Sequence, residues 1–289
     1  MRYEGNIYRP PNEWRSYLLQ VTIGCSHNAC TFCGMFKDKK YRVRSMTEIL
    51  EDIRTAGYLM PETERVFLCD GDAIAVPTED LLTILAELKK AFPNCTKIAT
   101  YAGPRSTLRK SPEELLALRE AGLTRAYLGV ESGDEKVLRD IHKGVSAEEM
   151  CRAGQLLVQA GLDVYTFIIV GLAGKSGSAA HAAASADIIN RIQPQHLAAM
   201  TYMPTPGTPM FRDVQSGKFE LMSDEECLLE TRALMQGIDL PKIHFSSIHA
   251  SNYVPIQGTL PDDRERLTAV IDEALSGRGE KRPEVLRGL

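Results

Sequence analysis

Short apolar runs and amphipathic helical stretches alternate along most of this chain, and that alternation leaves few folds open. The apolar runs lie at 17–22, 65–70, 97–101, 125–130, 163–170 and 196–203, and helical patterns lie between them at 47–57, 78–91, 111–121, 147–160 and 178–191. Ser111-Pro112-Glu113-Glu114 reads as a helix start: a capping serine, a proline, then two carboxylates that suit the positive end of the helix. Thr78-Glu79-Asp80 opens a helix in the same way. Gly57, Gly122 and Gly161 follow apolar helical stretches, as glycines that end helices in the left-handed conformation do. About six strand–helix repeats, at a pitch of roughly 30 to 45 residues, signal βαβ units and a parallel sheet. Runs such as Val66-Phe67-Leu68-Cys69 are apolar on both faces, which suits strands covered by helices. The expected class is α/β, a partial (βα)6 TIM-like barrel, with a doubly wound sheet as second choice. Either places its chemistry at the carboxyl ends of the strands.

Beyond residue 205 the pattern changes. A Thr205-Pro206-Gly207-Thr208-Pro209 turn leads to helical patterns at 224–235 and 262–275, with an irregular stretch, 244–260, between them. The expected organisation is an N-terminal segment at 1–15, the barrel at 16–212, and a mainly helical or irregular C-terminal extension at 213–289 packed on it. The tail at 276–289 is expected to be mobile. A length of 289 residues fits one domain of this kind. The formal net charge of -4 argues against a nucleic-acid partner, because such partners select basic domains. The basic run Lys37, Lys39, Lys40, Arg42, Arg44 reads as a solvated loop. The first residues lack a signal-peptide core, and no run reaches the ~18 apolar residues of a membrane span, so no membrane partner and a cytoplasmic location are expected. Seven cysteines in that compartment are reduced or metal-bound rather than paired.

Three of the seven, Cys25, Cys30 and Cys33, follow the first strand in a C-x4-C-x2-C loop. Three thiolates so close can hold one metal centre while leaving a coordination position open. A [4Fe-4S] cluster fits this pattern, as does a plant-type [2Fe-2S] centre that takes a fourth cysteine from elsewhere. A zinc site with His27 as fourth ligand, or unligated thiols, also remains open on spacing alone.

Further segments carry a resemblance. Phe32 precedes the last cysteine of the loop. Asp70-Gly71-Asp72 ends the second strand. Tyr127-Leu128-Gly129-Val130-Glu131-Ser132-Gly133 ends the fourth and is followed by His142-Lys143-Gly144. Ile168-Ile169-Val170-Gly171-Leu172-Ala173-Gly174 ends the fifth, and Pro206-Gly207-Thr208-Pro209 follows the sixth. In this order the segments resemble the radical S-adenosylmethionine superfamily, nearest the branch with the oxygen-independent coproporphyrinogen oxidases and the methylthiotransferases. The resemblance spans residues 15 to 212. It departs from the family in a first cysteine gap one residue longer than usual, and in Asp where the second-strand motif has Glu. Subfamily and substrate are therefore not carried over.

The resemblance implies a [4Fe-4S] cluster and S-adenosylmethionine as cofactors, and a 5′-deoxyadenosyl radical that takes a hydrogen from a substrate. It implies cluster ligation by Cys25, Cys30 and Cys33. Asp70, Gly71 and Asp72 would meet the methionyl ammonium, Glu131 and Ser132 the ribose, and Lys143 the methionyl carboxylate. Phe32 and Gly171 would pack on adenine. An electron donor such as flavodoxin or ferredoxin is implied as partner. His27 reads as a neighbour of the cluster rather than a ligand.

The remaining cysteines, Cys69, Cys95, Cys151 and Cys227, are scattered, so no second cluster is expected. With no RNA-binding or cobalamin-binding domain legible either, a small-molecule substrate is the first reading. Polar groups concentrate between Lys242 and Tyr253, and from these His249 and Asn252 are chosen as substrate-facing catalytic residues. Arg105, after the third strand, is a further candidate for an anionic group. The alternatives are a radical enzyme acting on tRNA or a peptide and, from another class, a zinc-stabilised binding protein without catalysis.

Overall fold

The computed structural model describes residues 1–288. Its strands are β1 (Tyr17–Gln20), β2 (Thr22–Ile23), β3 (Arg42–Val43), β4 (Arg65–Cys69), β5 (Lys97–Tyr101), β6 (Leu123–Glu131), β7 (Asp163–Val170), β8 (His196–Thr201), β9 (Ile243–Ser246) and β10 (Gln257–Leu260). Its helices are α1 (Met46–Leu59), α2 (Thr78–Ala91), α3 (Pro104–Thr107), α4 (Pro112–Ala121), α5 (Glu135–Asp140), α6 (Ala147–Gln159), α7 (Gly174–Ile192), α8 (Pro209–Gln215), α9 (Asp224–Gly237) and α10 (Arg264–Leu275). All six expected strands form. The chain divides into two compact units, one of residues 1–28, 35–128 and 156–164, the other of residues 29–34, 129–155 and 165 onward.

In the first unit β1, β4, β5 and the start of β6 run parallel, with Leu19 opposite Leu68, Phe67 opposite Ala99 and Thr100 opposite Ala126. Leu19, Val66, Phe67, Ala99 and Ala126 are all buried, as are the inward faces of the helices, Ile49 and Ile53 on α1, Ile84, Leu85 and Leu88 on α2, and Leu115 and Leu118 on α4. Ser111 caps the N-terminus of α4 as expected, Glu114 completes a capping box there by accepting from the Ser111 N–H, and Gly122 ends that helix at φ 116°. Gly57 does not end α1, which continues to Leu59. A Cβ at Gly57 would lie 2.9 Å from that of Ala91, so its small size serves the packing of α1 on α2. Pro77, not Thr78, stands at the N-cap of α2, and the Thr78 hydroxyl instead donates to Glu114 Oε1 at 2.5 Å.

The basic run is not a solvated loop throughout. Lys39 and Arg44 are buried. The Arg44 guanidinium pairs with Asp52 at 2.8 Å and donates to the carbonyl of Gln20 at 2.7 Å. Each cation finds its partners on a different element, which is why a local reading of charge misplaced them.

In the second unit β7 and β8 run parallel, with Phe167 opposite Ala198, and β9 joins parallel to β8, with Leu197 opposite Phe245. β10 returns antiparallel, with Phe245 opposite Gly258. The stretch 244–260, expected to be irregular, thus contributes two strands. Four residues each, one of them the polar Gln-Gly-Thr-Leu, give almost no periodicity to read, and pairing of β9 with β8 and of β10 with β9 decides their conformation. The tail is fastened. Arg282 Nη1 donates to the carbonyls of His249, Ala250 and Asn252 at 3.0, 3.1 and 2.6 Å, and the Arg287 guanidinium lies 3.9 Å from the centre of the Tyr253 ring. Arginine donors matched to loop carbonyls hold this segment, as far as residue 288, whose composition alone suggested mobility.

Candidate cofactor site

The loop that carries the cysteines, 24–41, is closed at its base by β2 and β3, where Thr22 faces Val43 and Ile23 faces Arg42. It opens on Gly24 at φ 75°, a left-handed conformation in which a side chain is strained. Asp70, at the end of β4, is fully buried and grips both ends of the loop in the first unit. Its Oδ2 accepts from the N–H of Gly24 at 2.9 Å, from Gln20 Nε2 at 3.0 Å and from Lys39 Nζ at 3.0 Å. The ammonium of Lys39, 4% exposed, also donates to the carbonyl of Asn6. Asp70 Oδ1 has no hydrogen-bond partner among the described residues.

Two residues on, Asp72 accepts from the hydroxyls of Ser26 and Ser106, the latter at 2.6 Å, and from the N–H of Gly103 at 2.8 Å. Gly71 between them lies against the loop. A Cβ there would stand 2.5 Å from the Phe36 ring and 3.0 Å from the Cβ of Cys25. Both carboxylates that the sequence reading assigned to the methionyl ammonium are therefore engaged inside the protein, where they set the path of the loop around Cys25. Burial, reinforced by Asp72 and Cys25, raises the Tyr41 phenol to about 12. Between Cys25 and Cys30, Asn28 lies at φ 39° and its amide donates to the carbonyl of Phe36 at 2.7 Å. Arg105 Nη1 donates to His27 Nδ1 at 3.2 Å, so these two candidates meet each other. Among the described residues no group of three or more His, Cys, Asp or Glu side chains is placed to hold a metal ion.

Cys30 and Cys33 belong to the second unit, and both, like Cys25, are half-buried. Phe32 between them packs against a buried apolar cluster that includes Leu138, Ile141, Ile169 and Leu172. The backbone there is stitched down. Thr31 donates to the carbonyl of Ile141 at 2.9 Å and accepts from the N–H of Met210 at 3.1 Å.

Glu131 ends β6 at φ 65°, an unusual conformation for a side-chain-bearing residue that is more common at functional sites. Its Oε1 lies 2.9 Å from Lys143 Nζ, with the two side chains 12% and 10% exposed. Gly129, which the sequence reading passed over, makes room for this pair, since a Cβ there would lie 2.2 Å from Glu131 Oε1 and 3.3 Å from Lys143 Nζ. The Ser132 hydroxyl accepts from the N–H of Asp134 at 2.9 Å, which fixes the turn into α5. Gly171, at φ 84°, ends β7 and donates its N–H to Glu230 Oε1 at 2.9 Å.

The loop with His249 and Asn252 lies at the carboxyl end of β8. The N–H of Thr201 donates to the Ser251 hydroxyl at 3.2 Å. The Asn252 amide donates to the carbonyls of Ala199 and Ser247 at 2.9 and 3.0 Å and accepts from the Thr201 hydroxyl at 2.9 Å. Asn252 is buried, its hydrogen-bonding capacity is nearly filled, and its bonds fasten the loop to β8. His249 Nδ1 accepts from the N–H of Ser251 at 3.2 Å and lies 2.9 Å from its hydroxyl.

Burial, then the nearby Arg282, lowers the pKa of His249 below its ordinary 6.5, and burial, then His196, does the same to His244. Below pH 6.5 the unfolded chain takes up protons that the folded chain refuses, so stability falls as pH falls through this range. We expect the thermal midpoint to drop between pH 7 and pH 5, and His249→Gln to flatten that slope.

Residues 19–184, just over half of the chain, match the Radical SAM superfamily. An uncharacterised protein of Methanopyrus kandleri is 28% identical over 156 residues, covering 50% of this chain and 29% of that one. The heme chaperone HemW of Bacillus subtilis is 20% identical over 236 residues, covering 78% of this chain and 59% of that one. This chain therefore spans less than two thirds of either curated relative. Among solved structures, coproporphyrinogen III oxidase of Escherichia coli superposes with a TM-score of 0.57 at 18% identity, over 77% of this chain and 52% of that one. Methylornithine synthase superposes at 0.51 and 17%, over 92% and 83%, and the Elp3 of Methanocaldococcus infernus at 0.54 and 18%, over 91% and 63%. At such identities the likeness establishes the fold, the α/β partial barrel with parallel strands.

Proposed function

The chain belongs to the radical S-adenosylmethionine superfamily, and from that premise we propose that it is an enzyme. In this reading it holds one [4Fe-4S] cluster on Cys25, Cys30 and Cys33, binds S-adenosylmethionine and takes a hydrogen atom from a small-molecule substrate. The observation that carries the reading is a three-cysteine loop, inside the family match, whose two ends are locked to one buried carboxylate, Asp70. The donor set suits such a cluster: three half-buried thiols, on a loop held by backbone hydrogen bonds and ion pairs. The bound cluster and S-adenosylmethionine, given an electron from a donor such as flavodoxin or ferredoxin, supply the radical chemistry.

The chain's own residues do the placing. Asp70, Lys39 and Asp72 hold the loop that presents Cys25. Glu131 and Lys143 form an ion pair that can part on binding: the ammonium passes from Glu131 to the methionyl carboxylate, and the freed Glu131 accepts from the ribose hydroxyls. Gly171 offers backbone without a side chain to adenine, and Phe32 an apolar edge. With the Asp70 and Asp72 side chains engaged, the methionyl ammonium is left to backbone carbonyls at the end of β4. His249, on the loop after β9, is the retained candidate to face substrate.

Anaerobic loading with iron and sulfide tests this reading. We expect a brown protein with about four irons per chain, bleached by dithionite, and a colourless one when Cys25, Cys30 and Cys33 are all changed to Ala. A redox-silent protein that takes up only zinc would overturn it.

A further inference from the structure

A carboxylate on the apolar face of a helix calls for a reason. The inward face of α9 carries Cys227, Leu228, Thr231, Leu234 and Met235, and with them Glu230, 3% exposed. One of its oxygens does all the bonding. Glu230 Oε1 accepts from the N–H of Gly171 at 2.9 Å and lies 2.8 Å from Nδ1 of His181, a fully buried residue of α7. Glu230 Oε2 and His181 Nε2 are buried without a hydrogen-bond partner among the described residues. Packing α9 on α7 needs no such pair; a leucine and a phenylalanine would bury more apolar surface without orphaned polar atoms.

The pair's effect is local. Gly171 sits at φ 84°, and the atoms nearest to where its Cβ would be are Met222 Sδ at 3.7 Å and Cys227 Sγ at 3.9 Å. Ordinary contacts at that distance do not fix a glycine turn. Ala173, at the N-cap of α7, supplies no side-chain cap to fix it either. Backbone bonds close the turn, from the N–H of Leu172 to the carbonyl of Ile169 at 3.3 Å and from the N–H of Gly174 to the carbonyl of Gly171 at 3.1 Å, and the bond to Glu230 fixes the direction of the Gly171 N–H itself.

We propose that Glu230, held in its rotamer by His181, is a positioning residue that sets the Gly171 turn for S-adenosylmethionine. The assignment rests on the reading of Gly171 as part of that binding site. Neither residue touches the cofactor. Together they fix the direction of one backbone N–H and, through it, the surface offered to the nucleoside.

The test compares Glu230→Met with Glu230→Gln, which keeps an acceptor oxygen for Gly171. Three quantities are measured: amide exchange over 170–174 in the protein without cofactors, iron content after loading, and the Kd for S-adenosylmethionine. For Glu230→Met we expect exchange over 170–174 to quicken and the Kd to rise, each about tenfold, the effect of one lost hydrogen bond. Iron content stays unchanged, and Glu230→Gln restores both quantities. Exchange that quickens equally along α7 and α9, with an unchanged Kd, means a merely structural role and overturns the proposal. If Glu230→Met fails to fold, His181→Leu takes its place, with the same direction expected and an unchanged Kd overturning the proposal. Wild-type protein that loads with iron but binds no S-adenosylmethionine would sink the site reading itself, whereas normal binding by Glu230→Met sinks the positioning role alone.

Discussion

Replacing Lys39 by Met is expected to cost the protein about 3 to 5 kcal/mol of stability and most of its capacity to take up iron, because it strands a buried charge. Asp70 is fully buried, and the ammonium of Lys39, 3.0 Å away, is the cation paired with it. The same carboxylate holds Gly24, next to the first cysteine. Without Lys39 the carboxylate must take up a proton or draw in water, and either response loosens its grip on Gly24. Urea denaturation of the cofactor-free protein and iron per chain after loading measure the two effects separately. The double change Lys39→Met with Asp70→Leu should regain part of the stability, since no buried charge is left, but not the iron, since Gly24 has lost its acceptor. A single variant with wild-type midpoint and wild-type iron would show that the ion pair does not organise the loop.

Gly71→Val is expected to act by crowding alone. The nearest atoms to a Cβ at this position are those of the Phe36 ring, at 2.5 and 2.9 Å, and the Cβ of Cys25, at 3.0 Å. Such overpacking costs about 1 to 3 kcal/mol. Here it pushes on a cysteine, so iron uptake should fall further than stability does. Phe36→Leu in the same chain should make room and recover both. Gly71→Val protein that loads fully with iron would mean that Cys25 is free to move without consequence.

Much of this arrangement is legible in the sequence. Six apolar runs between helical patterns became six strands, and α4 starts at the Ser111 cap that its four residues foretold. The three cysteines, the strand-end acids and the Glu131–Gly133 segment stand out in the sequence because each is contiguous. What escaped was set by partners distant in sequence. Lys39 looked like one cation in a basic run, and its partner Asp70 lies 31 residues on. Asp70 and Asp72 looked like ligand acceptors, yet the lysine, serines and backbone N–H groups that fill them come from other elements. Asn252 sits in a loop rich in polar groups, and only the carbonyl of Ala199 in β8 reveals that its amide is occupied. Glu230 did leave a trace in the sequence: with Cys227, Thr231 and Leu234 it falls on a helical stripe that buries everything else it carries. A lone carboxylate on such a stripe is a sign of a distant partner.

The most direct test of the central claim is whether this chain cleaves S-adenosylmethionine. Protein loaded anaerobically with iron and sulfide is reduced and incubated with S-adenosylmethionine, and 5′-deoxyadenosine is quantified against the variant in which Cys25, Cys30 and Cys33 are Ala. The account predicts 5′-deoxyadenosine and methionine in equal amounts from the wild type and none from the variant. A wild-type protein that carries the cluster, accepts the electron and leaves S-adenosylmethionine intact would contradict it.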